Sequence, residues 1–225
     1  MPKGLDAMPD TIERSAHYQE LIDLHAQLHR EGTGGDGGEN TFAGKSLLRH
    51  IPAIRKLALA TNAKTLLDYG SGKGAPYFRP GYYKDPSGRY ATALEAMGLE
   101  SVRCYDPAVP EFSALPAGPF DGVVSTDVLE HIHEADVPVV LGEIFDRAQR
   151  FVYMNIAGFP ARKRLPNGAN AHSTVRPPRW WREQIAKTKK RPGVVYRVEI
   201  HLGRGIDEFF IKAFLPWTTV IRGTG

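Results

Sequence analysis

The sequence predicts a doubly wound α/β fold with a mainly parallel sheet, and three observations carry that expectation. Four short apolar runs, Lys64–Tyr69, Ser101–Asp106, Gly122–Thr126 and Phe151–Ile156, have strand length and lack strict alternation, as strands covered on both faces do. Helix-period stretches at 89–98 and 136–149 separate them, so the series reads β-α-β-α-β. Two later strand-like runs, Val194–Ile200 and Glu208–Leu215, flank the short HLGRGID segment and are expected to close one sheet edge as an antiparallel hairpin.

The elements ahead of the first strand follow from periodicity. Tyr18, Leu21, Ile22, Leu24, His25 and Leu28 return to one face, which predicts a helix over 11–29. Gly32 to Gly38 carries five glycines in seven positions and breaks it with a flexible connection. Leu47, Leu48, Ile51, Ile54, Leu57 and Ala58 predict a second helical stretch over 45–60, with Pro52 marking either a kink or a fresh start. The expected organisation is an N-terminal helical part, 1–60, followed by an α/β core, 61–225, without internal repeats.

Composition narrows the class. At 225 residues, 42% hydrophobic and 24% charged, the chain suits one packed domain and neither a disordered tail nor a coiled coil. No run approaches the ~20 apolar residues that span a bilayer, and the N-terminus lacks a signal-like apolar segment. The single cysteine, Cys104, offers neither an internal disulfide nor a metal-ligand spacing. A cytoplasmic protein without membrane attachment is expected. Charge is uneven: residues 160–193 hold ten Lys or Arg against one acid, Glu183, leaving 19 basic and 24 acidic residues elsewhere. Such a segment is either a solvated loop or a surface for an anionic partner.

Three motifs sit where the ligand edge of such a sheet belongs. Asp68, Gly70, Ser71, Gly72 and Gly74 form an acid followed by G-x-G-x-G directly after the first strand. Glycine there permits positive φ and close approach of a ligand, although a tight turn asks for glycine too. The spacing is neither the GxGxxG of dinucleotide folds nor a P-loop. Asp106 ends the next strand, where a carboxylate accepts both hydroxyl hydrogens of a ribose or, alternatively, serves the turn before Pro107. The third motif, FDGVVSTDVLEHI over 120–132, runs from a buried strand into polar residues.

Together LLDYGSGKG (66–74), CYD (104–106) and FDGVVSTDVLEHI (120–132) resemble the class I S-adenosylmethionine-dependent methyltransferases over about residues 40–160. The resemblance implies a seven-stranded Rossmann-like sheet and S-adenosylmethionine as cofactor, held by Asp68, Gly70, Ser71, Gly72, Gly74, Asp106 and Asp127. Asp106 would take the ribose hydroxyls. Two departures stand out. The family's short third-strand motif, which often gives an acid near adenine, is not evident in PAVPEFSALPAGP (107–119), which leaves the adenine contact to Phe112 or the main chain. APYFRPGYYKDPSGRY (75–90) replaces the usual helix after the glycine loop, as a substrate wall or a packed surface loop. Thr41 to Lys45 is a candidate cofactor lid.

Asp127, Glu130 and His131 occur as D-x-x-E-H, and a helix starting at Thr126 or Asp127 would place them on one face. With the distant His172 they resemble the E-x-x-E-H plus histidine of small-RNA 2′-O-methyltransferases, and the E-x-x-E-H of metal-dependent O-methyltransferases of ubiquinone synthesis. Asp127, Glu130, His131 and His172 are therefore candidate ligands of a divalent cation, Mg²⁺ or Mn²⁺. The same motif also caps helices in family members that use no metal. His131 and His172 are the candidate catalytic residues, as bases or as ligands.

An insertion over 158–193, with Arg162, Lys163, Arg164, Arg176, Arg179 and the Trp180-Trp181 pair, is the expected acceptor wall; the tryptophans are more in keeping with core anchors. The expected acceptor is a small or glycan-like anion methylated on oxygen. RNA is the second choice, and an NAD or nucleotide-sugar oxidoreductase, disfavoured by the glycine spacing, is the third.

Overall fold

A computed structural model describes residues 14–32, 37–38, 41–79, 81–203 and 218–225. Six described strands form the main sheet: β1 (Thr65–Tyr69), β4 (Ser101–Tyr105), β5 (Phe120–Thr126), β6 (Ala148–Ala157), β7 (Val195–His201) and β8 (Thr218–Thr224). Their order is β4-β1-β5-β6-β7-β8. The first five run parallel, and β8 pairs antiparallel to β7 from Val195↔Thr224 to His201↔Thr218. The chain leaves β1 towards β4 on one side and returns to β5 on the other, so β1 and β5 bound the switch point where open sheets bind ligands.

Alternation along the strands splits the core in two. Leu67, Val123, Val152 and Met154 point to one face, covered by α5 (Val137–Arg147) and α6 (Pro178–Lys187) with Phe145 and Trp181 fully buried. Leu66, Val124, Phe151 and Tyr153 point to the other, covered by α2 (Ile51–Ala60) and α4 (Ala93–Met97). Both faces are apolar, which is why these strands read as continuous apolar runs. Trp180 packs at the margin of the first cluster, so the tryptophan pair anchors α6.

Local chemistry sets the boundaries. Helix α1 spans Ala16–Glu31, within and slightly beyond the expected stretch. The expected 45–60 helix is two pieces, a 3₁₀ turn at Lys45–His50 and then α2, with Pro52 in the first turn of α2, where its missing N–H costs nothing. Helix α4 is shorter than expected because a Thr92–Glu95 capping box starts it late and Gly98, at φ 75°, ends it. The 75–90 insertion folds as α3 (Ala75–Phe78) and a small pair of antiparallel strands, β2 (Tyr83–Lys84) and β3 (Tyr90–Ala91). The hairpin expectation holds with β8 as its second strand; the run 208–215 lies outside the described residues. No helix among the described residues is long and apolar enough to cross a membrane.

Candidate active site

A cavity of about 520 Å³ opens at the carboxyl ends of the parallel strands. Asp68 to Gly72 and Asp106 to Ala108 line it from β1 and β4, and Asp127, Glu130 and His131 from the end of β5. Helix α1 covers it with Tyr18, Leu21, Ile22 and His25. That helix is fastened at its start: the Ser15 amide and hydroxyl donate to the buried Asp136 carboxylate at 2.7 and 2.6 Å, and Arg14 donates to Glu143 at 2.5 Å.

The glycine loop is compressed between two chain segments. Gly70 and Ser71 donate their amides to the Tyr105 carbonyl at 2.7 and 3.0 Å, tying the loop to the neighbouring strand. Gly70 has φ 82°, and a Cβ there would lie 2.3 Å from a Val128 methyl. Gly72 has φ 55°, and a Cβ there would lie 2.2 Å from the Phe42 carbonyl oxygen. Both positions therefore require glycine for the protein's own packing. The Phe42 and Ala43 carbonyls accept the Lys73 and Ala75 amides at 3.0 and 3.2 Å, so the expected lid segment is pinned on the loop. Gly74, at φ 59°, completes the turn, and the buried Ser71 hydroxyl donates to the Gly72 carbonyl.

Two acids flank this loop. Asp68 is buried, its carboxyl pushed up to about 7 by desolvation, and its Oδ1 has no hydrogen-bond partner among the described residues. Asp106 accepts the Gly72 amide on Oδ2 and the Ala108 amide on Oδ1, both at 2.9 Å. Burial raises its pKa and these two bonds oppose the rise. Each oxygen retains a second lone pair for a hydroxyl in the cavity. Phe112 stacks on Phe78 and does not line the cavity, whereas Pro107 and Ala108 do.

The D-x-x-E-H segment is not one face of an α-helix. Asp127 sits at φ 54° and only a 3₁₀ turn, Leu129–His131, follows. The reversal is held by Asn155 on β6, which accepts the Asp127 amide on its carbonyl at 3.1 Å and donates its side-chain amide to Asp127 Oδ1 at 2.5 Å. Glu130, His131 and His172 nevertheless converge: one ligand atom from each lies within 4.8 Å of the other two, and Asp127 is outside this group.

Glu130 is completely buried. Its Oε1 accepts the Ala157 amide at 2.9 Å, its Oε2 has no partner among the described residues, and burial with the nearby Asp127 charge pushes its carboxyl up to about 8. The Ala171 carbonyl accepts from His131 Nδ1 at 2.8 Å and the Phe159 carbonyl from His172 Nδ1 at 2.5 Å. Both rings are thereby held in the tautomer that leaves Nε2 with its lone pair. Thr174 clips the loop in place, its amide donating to the Glu130 carbonyl and its hydroxyl to the Ile132 carbonyl. Burial, with His25 and His172 alongside, lowers the His131 pKa to about 3.

Two site residues escaped sequence reasoning. Asn155 was visible only as a polar interruption in the apolar FVYMNI strand. His25 belongs to the helix face that periodicity assigned to packing; its ring meets His131 edge-on at 5.1 Å, with Nε2 3.2 Å from His131 Nδ1. The basic insertion contributes less than expected. Arg162 and Lys163 line the cavity, with the Lys163 ammonium 4.9 Å from the Phe42 ring centre. Arg164 bonds the Gly168 carbonyl, Arg176 pairs with Glu134 and Arg179 with Glu183, because local acceptors satisfy them away from the cavity.

Among solved structures, the chain is similar to Burkholderia thailandensis 1,6-didemethyltoxoflavin-N1-methyltransferase with bound 1,6-didemethyltoxoflavin and S-adenosylhomocysteine. The identity is 14% over 87% of this chain and 68% of that one, with a TM-score of 0.37. It is also similar to an O-methyltransferase family protein from Burkholderia thailandensis, at 12% identity over 86% of this chain and a TM-score of 0.37, spanning 54% of that protein's length. No protein-family model and no curated protein matches the sequence.

Proposed function

We infer that this chain is an S-adenosylmethionine-dependent methyltransferase acting on an oxygen of a small acceptor, assisted by a divalent cation at Glu130, His131 and His172. The observation that carries this reading is the meeting, in one cavity at the switch point, of the glycine loop, the Asp106 carboxylate and the Glu130–His131–His172 group. When bound, the cofactor supplies a sulfonium methyl already activated for transfer. Asp106 takes the ribose hydroxyls on its free lone pairs, and Asp68 with the Gly70–Gly72 backbone borders the remainder of the cofactor.

The cation reading rests on the donor set. A buried carboxylate oxygen without a partner among the described residues, and two imidazoles that each bond a carbonyl through Nδ1 and keep the Nε2 lone pair, form an arrangement that a metal would complete. Two nitrogens and one oxygen favour a transition-metal ion over Mg²⁺, and Mn²⁺ is the ion tested first. A cation held by these three residues would lower the pKa of an acceptor hydroxyl. His131, with its pKa near 3, is a poor base at neutral pH, which favours the ligand role. Arg162 and Lys163, with Lys45 and Arg49 also lining the cavity, offer an anionic acceptor positive side chains.

The reading is tested by S-adenosylhomocysteine formation with a panel of small hydroxylated anions and short RNAs, before and after chelation. Turnover of a small acceptor that chelation abolishes and Mn²⁺ restores is expected. Turnover of RNA alone, with affinity falling steeply as salt rises, would replace the acceptor assignment. Turnover indifferent to chelation would remove the cation.

A further inference from the structure

A second cluster lies on the same cavity's margin, apart from the residues assigned above. His50 ends the 3₁₀ turn, and Glu199 and His201 lie on β7, with His201 lining the cavity. Glu199 Oε2 is 3.8 Å from His50 Nδ1 and 4.0 Å from His201 Nε2. One ligand atom from each residue lies within 4.8 Å of the other two. These separations are too long for hydrogen bonds, so the three groups converge without satisfying one another. His201 Nε2, which faces Glu199, is buried and has no hydrogen-bond partner among the described residues, while His50, only 3% exposed, faces Glu199 with the Nδ1 that the Tyr153 hydroxyl bonds.

The surroundings hold each group in place. Thr218 Oγ1 bonds His201 Nδ1 at 2.9 Å, leaving Nε2 turned to the carboxylate. Arg197 grips the opposite oxygen of Glu199, Oε1, through Nε and a terminal nitrogen at 2.7 and 2.6 Å. The Tyr153 hydroxyl bonds His50 Nδ1 at 2.7 Å and also interacts with Glu199, a second acceptor to which it can turn. Separations of 3.8, 4.0 and at most 4.8 Å admit an ion no more than about 2.5 Å from all three atoms, within a few tenths of an ångström of Zn–N and Zn–O lengths of about 2.0–2.2 Å.

We propose that His50, Glu199 and His201 form a second transition-metal site, of the Zn²⁺ class, with an open coordination position towards the cavity. It fastens the 3₁₀ turn to the end of β7, joining residues 151 positions apart. The donor set of two imidazoles and one carboxylate suits Zn²⁺ or Co²⁺ rather than Mg²⁺ or Ca²⁺. The assignment is independent of the methyl-transfer reading, since it uses none of the residues that carry it.

The test uses the full chain carrying Glu130→Gln and His172→Ala, which disables the first cluster. Titration with Co²⁺, followed by visible absorption, and zinc content after dialysis should each report one ion per chain. Adding His201→Ala or Glu199→Gln should weaken that ion's binding by at least about tenfold, with circular dichroism confirming the fold. Zinc should also shift the ring nitrogens of His50 and His201 in long-range proton–nitrogen spectra of the double variant, a readout that needs no third substitution. Absence of a bound ion, or an ion that leaves both rings unshifted, overturns the proposal. So does unchanged affinity in folded His201→Ala and Glu199→Gln chains.

Discussion

Replacing Glu130 by glutamine should make the metal-free protein more stable above neutral pH while abolishing cation-dependent turnover. The carboxyl is fully buried and pushed from 4.5 to about 8, so the folded state holds its proton more tightly than the unfolded chain. A raised carboxyl contributes stability that is complete below its unfolded pKa and is lost as pH rises through the folded one. The loss runs at up to about 1.4 kcal/mol per pH unit, about 3 kcal/mol by pH 7 as an upper bound. Glutamine cannot ionise, and its carbonyl can still accept the Ala157 amide. Thermal unfolding in chelator at about pH 5 and about pH 8 should show the variant's advantage growing with pH, to roughly 9–17 °C at most, as the loss reaches about 4 kcal/mol by pH 8. An advantage that does not change with pH would refute the burial argument and, with it, the idea that an uncompensated carboxylate awaits a cation. Gains of stability on removing a functional group are expected where a site carries strain for its task.

Other perturbations separate the parts of the site. Asp106→Ala should weaken S-adenosylmethionine binding by about tenfold or more in calorimetry and leave the fold intact, since its side chain otherwise ties only two loop amides. His172→Ala should lower turnover far more than cofactor affinity; full turnover would make the residue structural. Gly72→Ala should destabilise the chain by about 1–3 kcal/mol in denaturant unfolding, because its Cβ meets the Phe42 carbonyl at 2.2 Å and φ is positive. Trp181→Ala should cost about 3–5 kcal/mol, the price of a cavity beneath α6.

How much of this was legible in the sequence depended on the range of the interaction. The parallel strands were readable because each needs only a local apolar run, whereas the start of α4 was not, because the Thr92–Glu95 capping box delays it. The glycine loop and Asp106 were readable because both sit at strand ends, where topology fixes their surroundings. The turn at Asp127 was not, since its left-handed backbone is held by Asn155, 28 positions later. Glu130, His131 and His172 come together without Asp127, although the expected helix is a 3₁₀ turn, because the loop after β6 brings the distant ring across. The charge-rich insertion misled in proportion to its composition: counting arginines could not show that Glu134 and Glu183 take two of them. His50, Glu199 and His201 share no local pattern at all and meet only through the sheet.

The central claim is the cofactor, and calorimetric titration of the purified chain with S-adenosylmethionine and, separately, NADH tests it most directly. Saturable binding of S-adenosylmethionine alone, weakened in Asp106→Ala, is the expected result. Binding of NADH alone would contradict the reading of the glycine loop and every role assigned around it.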